Sequence, residues 1–286
     1  MATATTAQNP ISRAELRRRV VQRLGDGGQL LTATGNGSTS TFVDALDIST
    51  AAETFDGEWI YFVSGTAGNI GKTARVLSTT KETNTITFTP AVPSNTATGD
   101  VIETTNFRGI GFRPDQVNNA INNAINDAFP LGMIKLSSDV TGYDVTPPGT
   151  ISVPDNFYYV SSVAFLDTEG AEHPVLRATR SNYYGWNANA VTGEISIAGG
   201  PGWLANGMTI RLTGYGRQDI LSADTDTCLL RAEPIIDRAC YHLALSKISS
   251  DPSYGQMVNV FKNDLQRSWS RLRTPFDPSL TLVRSL

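Results

Sequence analysis

The chain has 286 residues, 23 Lys+Arg against 27 Asp+Glu for a formal net charge of −4, and 40% hydrophobic but only 17% charged residues. This length suggests roughly two domains with ample core, and the low charge leaves room for Gly, Pro, Ser and Thr, which favour strands and turns over long solvated helices. No run of ~18 apolar residues is available to span a bilayer, residues 1–10 lack the basic-then-apolar pattern of a secretory signal, and Cys228 and Cys240 form neither a disulfide framework nor a zinc spacing, so they read as reduced, buried thiols.

The charge is unevenly spread. Residues 1–28 carry five arginines against two acids (+3), residues 261–286 five basic residues against two acids (+3), and residues 29–107 three basic residues against eight acids (−5). Basic ends around an acidic insert point to an oriented partner surface rather than to free DNA binding.

In chain order, Ser12-Arg-Ala-Glu15 has capping-box spacing. Leu16, Val20 and Leu24 then share one face of a helix before a Gly-rich stop, with Arg13, Arg17, Arg18, Arg19 and Arg23 on the other faces. This N-terminal arm and Arg-rich helix occupy 1–28. An inserted β-barrel or sandwich follows over 29–107, with strands at 58–64, 74–78, 85–89 and from 101. A core helix lies within 108–130, opening at Pro114 and running to Phe129 with a stripe of Val117, Ala120, Ile121, Ala124, Ile125 and Ala128. A second β region covers 131–230, with strands at 159–166, 172–176, 194–198 and 208–215. A helix pair fills 231–273, the second member capped by Asp251 and Pro252 and carrying Arg267, Arg271 and Arg273 near its end, where cations suit the helix dipole. Residues 274–286 form an extended arm. The expected fold is α+β: a helical core of about four helices interrupted by two antiparallel β regions, with an extended C-terminal arm.

Candidate chemistry is thin. Residues 65–73, Gly-Thr-Ala-Gly-Asn-Ile-Gly-Lys-Thr, resemble a phosphate-binding loop but have five residues where that motif has four, and a strand follows instead of a helix. The segments 108–111 and 214–216 are incomplete dinucleotide fingerprints. His173 and His242 stand near no nucleophile motif and read as structural. Asp219, Asp224 and Asp226 lack the Gly and terminal Glu of a calcium loop and read as a solvated turn. Tyr183, Tyr184, Trp186 and Trp203 offer aromatic faces for a sugar or base, although turn packing or a contact between copies is the plainer reading. No catalytic residue, cofactor or metal site is expected.

The capped Arg-rich helix at 12–24, the 114–129 helix with its apolar stripe, the late helices at 233–272 and the strands at 57–65 and 99–102 together resemble head–tail adaptor, or neck connector, proteins of tailed bacteriophages. The resemblance implies a non-enzymatic virion protein in the neck, assembled in the host cytoplasm. It would form a ring with itself, typically of twelve copies, and contact the portal protein and tail or neck proteins. DNA would pass through the lumen without sequence readout, and no membrane would be involved. The contact candidates are Arg13, Arg17 and Arg18 on the first helix, Arg267 and Arg271 on the last, and Phe276, Leu280, Leu282 and Leu286 on the arm, whose spaced leucines suit strand addition to another chain. The competing readings are another tail or baseplate component and a carbohydrate-binding or carbohydrate-active module built on Trp186 and Trp203.

Overall fold

A computed structural model describes residues 3–4, 10–25, 29–50, 55–105, 112–141, 143, 149–178, 185–198, 207–252, 254–272 and 281–283. The chain divides into two compact units, one built from residues 1–10, 127–219 and 272–286, the other from residues 11–126 and 220–271.

The 11–126/220–271 unit holds helix α1 (Arg13–Arg23), the single turn α2 (Asp47–Thr50), most of α3 (Pro114–Ala128), α4 (Ala232–Lys247) and α5 (Tyr254–Trp269). Ser12 caps α1 by accepting from the Glu15 N–H at 3.2 Å. The Glu15 carboxylate turns instead to Arg19, which donates to it at 2.8 Å. Leu16, Val20 and Val21 are buried by α1 packing against α4. Alongside the helices lies a six-stranded antiparallel sheet of β3 (Gln29–Thr32), β4 (Thr41–Val43), β5 (Trp59–Ser64), β6 (Thr73–Thr80), β7 (Thr85–Thr89) and β8 (Val101–Thr105), in the order β3-β8-β5-β6-β7-β4. Just past β3 the chain bridges back to β4 at Gly35–Val43, so the two sheet edges meet at that end. One face of this sheet carries its own core of Leu31, Phe42, Ile60, Phe62, Val76, Ile86, Phe88 and Ile102. Burying a side chain of this size stabilises by about 1.5–3 kcal/mol, and Phe62 meets Phe88 edge-on at 5.7 Å. A two-stranded ladder of β2 (Ile11–Ser12) and β16 (Thr227–Cys228) ties the start of α1 to the segment before α4.

The other unit is built on β1 (Thr3–Ala4), β9 (Ile134–Val140), β11 (Phe157–Leu166), β12 (Glu172–Val175), β15 (Thr209–Gly216) and β17 (Thr281–Leu282), in the order β1-β9-β15-β11-β12 with β17 also on β11. A three-stranded sheet of β10 (Gly149–Ser152), β14 (Glu194–Ala198) and β13 (Gly185–Asn189) completes it. Along β15 the alternation is strict, with Ile210, Leu212, Gly214 and Gly216 buried. At Gly214 a Cβ would run into the Tyr159 carbonyl, so only glycine lets β11 approach.

The structure corrects the expected fold class. Helices do form where the periodicity places them, but they are not a helical core interrupted by two β regions. Among the described residues, seventeen strands in four sheets make up most of the ordered framework. The physical reason is that the strands do not borrow a helical core. Alternating runs such as Thr85–Thr89 bury every second residue against each other, so each β segment supplies its own apolar interior.

Candidate functional site

Two features stand out, both in the 11–126/220–271 unit. The first is a buried polar hub. Arg17 is wholly buried (0% exposed) in the middle of α1, facing β5 and β8 rather than solvent. Its Nε and Nη2 donate to Glu103 Oε2 at 3.0 and 2.7 Å, its Nη1 and Nη2 to the two Asp224 oxygens at 2.9 and 3.0 Å, and its Nη1 to Asn118 Oδ1 at 3.2 Å. The guanidinium sits 4.0 Å over the Tyr61 ring, and the Tyr61 hydroxyl donates to Asp224 Oδ1 at 3.2 Å. Arg13, one turn earlier, also donates to Asp224 Oδ1, at 2.9 Å, and to the Leu221 and Ser222 carbonyls at 3.0 and 2.6 Å.

Two arginines thus face two carboxylates, and nearly every guanidinium N–H of Arg17 is used. Burial works against the Arg17 charge, but the Asp224 hydrogen bond and the Glu103 charge outweigh it and hold the group protonated beyond its ordinary range. Burial raises Glu103 in spite of Arg17. For Asp224 the opposite holds: burial pushes up, but hydrogen bonds and charge from Arg17 and then Arg13 bring the carboxyl below its usual value. Burial and the Asp224 charge push the Tyr61 hydroxyl up. Of the hub carboxylate oxygens, Glu103 Oε1 is buried without a hydrogen-bond partner among the described residues. The hub fastens α1, the sheet, α3 and the 221–226 segment to one another.

The second feature is a groove of about 550 Å³ lined by residues of α1, α4 and the α5 end, among them Arg19, Arg23, Asp237, Asp264, Arg267 and Arg271. Arg23 reaches Asp264 at 2.9 Å and Asp237 at 3.6 Å, and Arg271 reaches Glu233 at 2.7 Å. Asp237 is nearly buried, and that burial raises its carboxyl although the Ser268 hydroxyl and Arg23 oppose the shift. Arg267 stands exposed on this rim with no carboxylate within ion-pair distance among the described residues.

The sequence-derived contact candidates therefore fall into different settings. Arg13 and Arg17 lie inside the fold. Arg18 is half-buried on α1, 3.4 Å from Glu15, and Arg267 and Arg271 border the groove. Leu282 lies in β17 on the sheet of the other unit, while Phe276, Leu280 and Leu286 fall outside the described residues. The hub partners Glu103, Tyr61, Asn118 and Asp224 were not legible as a set, since they lie 86, 44, 101 and 207 residues from Arg17. The one available signal was Glu103 itself, an acid in the middle of a strand opposite the apolar face marked by Ile102.

The other motifs resolve into ordinary structure. At residues 65–73 the donors that a phosphate would need are met from within: Asp100 Oδ1 accepts from the Thr66 N–H at 2.7 Å and the Thr66 hydroxyl at 3.0 Å. Gly65, at φ +112°, must stay glycine because a Cβ would strike that carboxylate. Asp226 caps its turn by accepting from the Ser222 and Ala223 N–H groups at 2.6 and 2.7 Å. Four of the eight acids in 29–107, Asp44, Glu58, Asp100 and Glu103, are buried, whereas Asp47, Asp56 and Glu82 are exposed. Trp186 is only 2% exposed, so its face is not open to a sugar; Tyr183, Tyr184 and Trp203 fall outside the described residues. Cys228 and Cys240 are both buried and free, and burial pushes the Cys228 thiol up to about 11 and the Cys240 thiol up as well. Among the described residues no helix is long and apolar enough to cross a membrane.

No curated protein matches the chain. A family model described as SU10 adaptor protein matches residues 96–281, which takes in β8, α3, the sheets of the 127–219 segment, α4, α5 and the Glu103, Asn118 and Asp224 partners of Arg17. With more than half of its length covered, the chain belongs to the SU10 adaptor protein family, a phage head–tail adaptor-type family.

Proposed function

We propose that this phage structural adaptor forms a ring between the portal and the tail through which the genome passes, and that it works by binding rather than by catalysis. Family membership is the observation that carries the reading; it makes the chain a virion component that interacts with other capsid or tail proteins. The arrangement of charge supports the finer assignment. With Arg13 and Arg17 paired inside the fold, some of the remaining basic groups of this unit gather on α1 and at the α1/α4/α5 groove. Arg18 and Arg19 stand on α1, and Arg267 and Arg271 on the rim of the α1/α4/α5 groove. A rigid scaffold holding such a rim suits an acidic partner face, since charge complementarity fixes register and partner choice more than raw affinity. Twelve copies, the portal as partner of one end and a tail or neck protein as partner of the other complete the proposal.

The test is reconstitution. Purified chain is mixed with its portal protein and sized, alongside an Arg267→Glu/Arg271→Glu variant. The expected result is a ring-sized complex with the unaltered chain and its loss with the variant, while the variant keeps the unaltered melting temperature to within about 1 °C, as exposed charges contribute little to stability. A chain that stays monomeric beside the portal and instead enters tail or baseplate fractions would refute the portal assignment.

A further inference from the structure

Two of the six strands in the sheet built on β9, β15 and β11 are two-residue strands from near the two ends of the sequence, β1 on β9 and β17 on β11 beside β12. Each extremity clusters with this sheet, while the sequence next to it, from Ile11 onward and up to Arg271, belongs to the other unit. The seat of β17 is the better defined. Tyr159 and Val160 stand opposite Leu282 and Thr281, and the Val283 N–H donates to the Tyr158 carbonyl at 2.9 Å. Val283 is entirely buried, at 0% exposure. β11 gives one side to β15 along its whole length, but on its other side β12 covers only Val163 to Leu166. The arm fills part of the edge that remains. Backbone pairing plus one sunken side chain is the pattern of strand addition, in which the ladder holds and the pocket selects.

We infer that this seat is a strand-exchange site, filled in the assembled adaptor by residues 281–283 of a second copy of this chain. The inference rests on the ring reading above and deepens it by naming where one copy grips the next. A seat that fits the chain's own arm fits the same arm from a neighbour with every contact kept, so exchange asks only for a different course of the connecting residues. Those connecting residues, 273–280, number eight. A stretch of eight residues can span at most about 26–29 Å. Within a closed ring each copy gives one arm and receives one, so no seat is left unfilled, and the neighbour's arm is presented at roughly millimolar effective concentration. A pairing of only two residues is also weak enough to open and re-form.

Engineered disulfides separate the two arrangements. The Val283 to Tyr158 hydrogen bond makes Tyr159 and Leu282 a non-hydrogen-bonded pair, for which a Cα spacing of about 4.5 Å falls inside the disulfide range. Two full-length single variants, Tyr159→Cys and Leu282→Cys, are co-expressed, assembled, oxidised and run without reductant beside the double variant. The expected result is a covalent dimer holding one chain of each kind, and a ladder of multimers from the double variant. A double variant that closes on itself and runs as a single chain, with no mixed dimer, overturns the inference. So does the absence of both products, because β17 would then not occupy the seat. Sizing keeps the parent reading apart: a ring assembled with self-closed arms removes the exchange and leaves the connector, whereas a chain that never assembles removes both.

Discussion

Removing the Arg17 guanidinium tests whether the hub holds the helices to the sheet. Glu103 is 2% exposed and ion-pairs with Arg17, and the half-buried Asp224 takes two guanidinium donors from it, so Arg17→Ala leaves Glu103 without an ion-pair partner among the described residues and Asp224 with Arg13. Breaking one partner of a buried ion pair costs about 3–5 kcal/mol, because the charge left behind is uncompensated. Loss of the stacking on Tyr61, 4.0 Å away, acts in the same direction. For a domain of roughly 150–250 residues each kcal/mol moves the melting temperature by about 2–4 °C, so the expected fall is about 6–20 °C. Thermal unfolding followed by circular dichroism measures it, and Arg17→Ala, Glu103→Gln and the double variant close a cycle. The coupling should lie at about 0.5–3 kcal/mol, with Glu103→Gln rescuing part of the loss by removing the stranded charge. A fall below about 2 °C with no coupling would mean that α1 is held by its Leu16/Val20/Val21 face alone, and the hub argument would be wrong.

Three further expectations follow from the same geometry. Asp224 has its carboxyl lowered in the folded state, so its stabilising share is present above the ordinary carboxylate range and is lost as pH falls through the lowered value. Glu103 is raised, so the folded state takes up its proton first and is relatively favoured in acid. Urea midpoints between pH 2 and 7 should therefore fall less steeply in Asp224→Asn than in the unaltered chain and more steeply in Glu103→Gln; parallel curves would show that neither group titrates differently on folding. Gly65→Ala should cost about 1–3 kcal/mol, through positive φ and collision with Asp100, and an unchanged melting temperature would disprove the turn geometry. Cys228 and Cys240, buried and with raised thiol values, should resist alkylation at pH 8 until denaturant is added; quantitative labelling of the folded chain would contradict their placement.

Local signals in the sequence carried further than long-range ones. The capping serine, the proline at the start of α3 and the apolar spacing placed four helices within about three residues of Arg13–Arg23, Pro114–Ala128, Ala232–Lys247 and Tyr254–Trp269. Strict alternation found Thr85–Thr89 to the residue, and the strand expected at Glu194–Ala198 also matches. These features depend on neighbours three or four positions away. The fold class failed because nothing local says which elements share an interior: the order β3-β8-β5-β6-β7-β4 brings Leu31 beside Ile102, far apart in the chain. The arginines misled for a related reason. Arginine is mostly a surface residue, so five of them on a short helix read as an outer face. Arg17 and Arg13 are buried only because Glu103 and Asp224 arrive from distant segments. The segregated charge of the sequence was a record of internal pairing, at least for these groups, before it was a record of any partner.

That pairing also bears on where the family portion begins. The match opens at residue 96, yet its first strand, β8, is not an edge: it lies between β3 and β5, both contributed by residues before 96. A cut at that point would strip β8 of both ladders and expose Ile102, which the sheet buries completely. It would also remove Arg17 and Arg13 and leave Glu103 and Asp224 without their cations. Orphaned backbone groups and stranded carboxylates each work against folding. Residues before 96 are therefore not an appendage on an adaptor core. They complete a sheet and a charge cluster whose other halves lie inside the matched segment, so the 11–126/220–271 unit stands or falls as one.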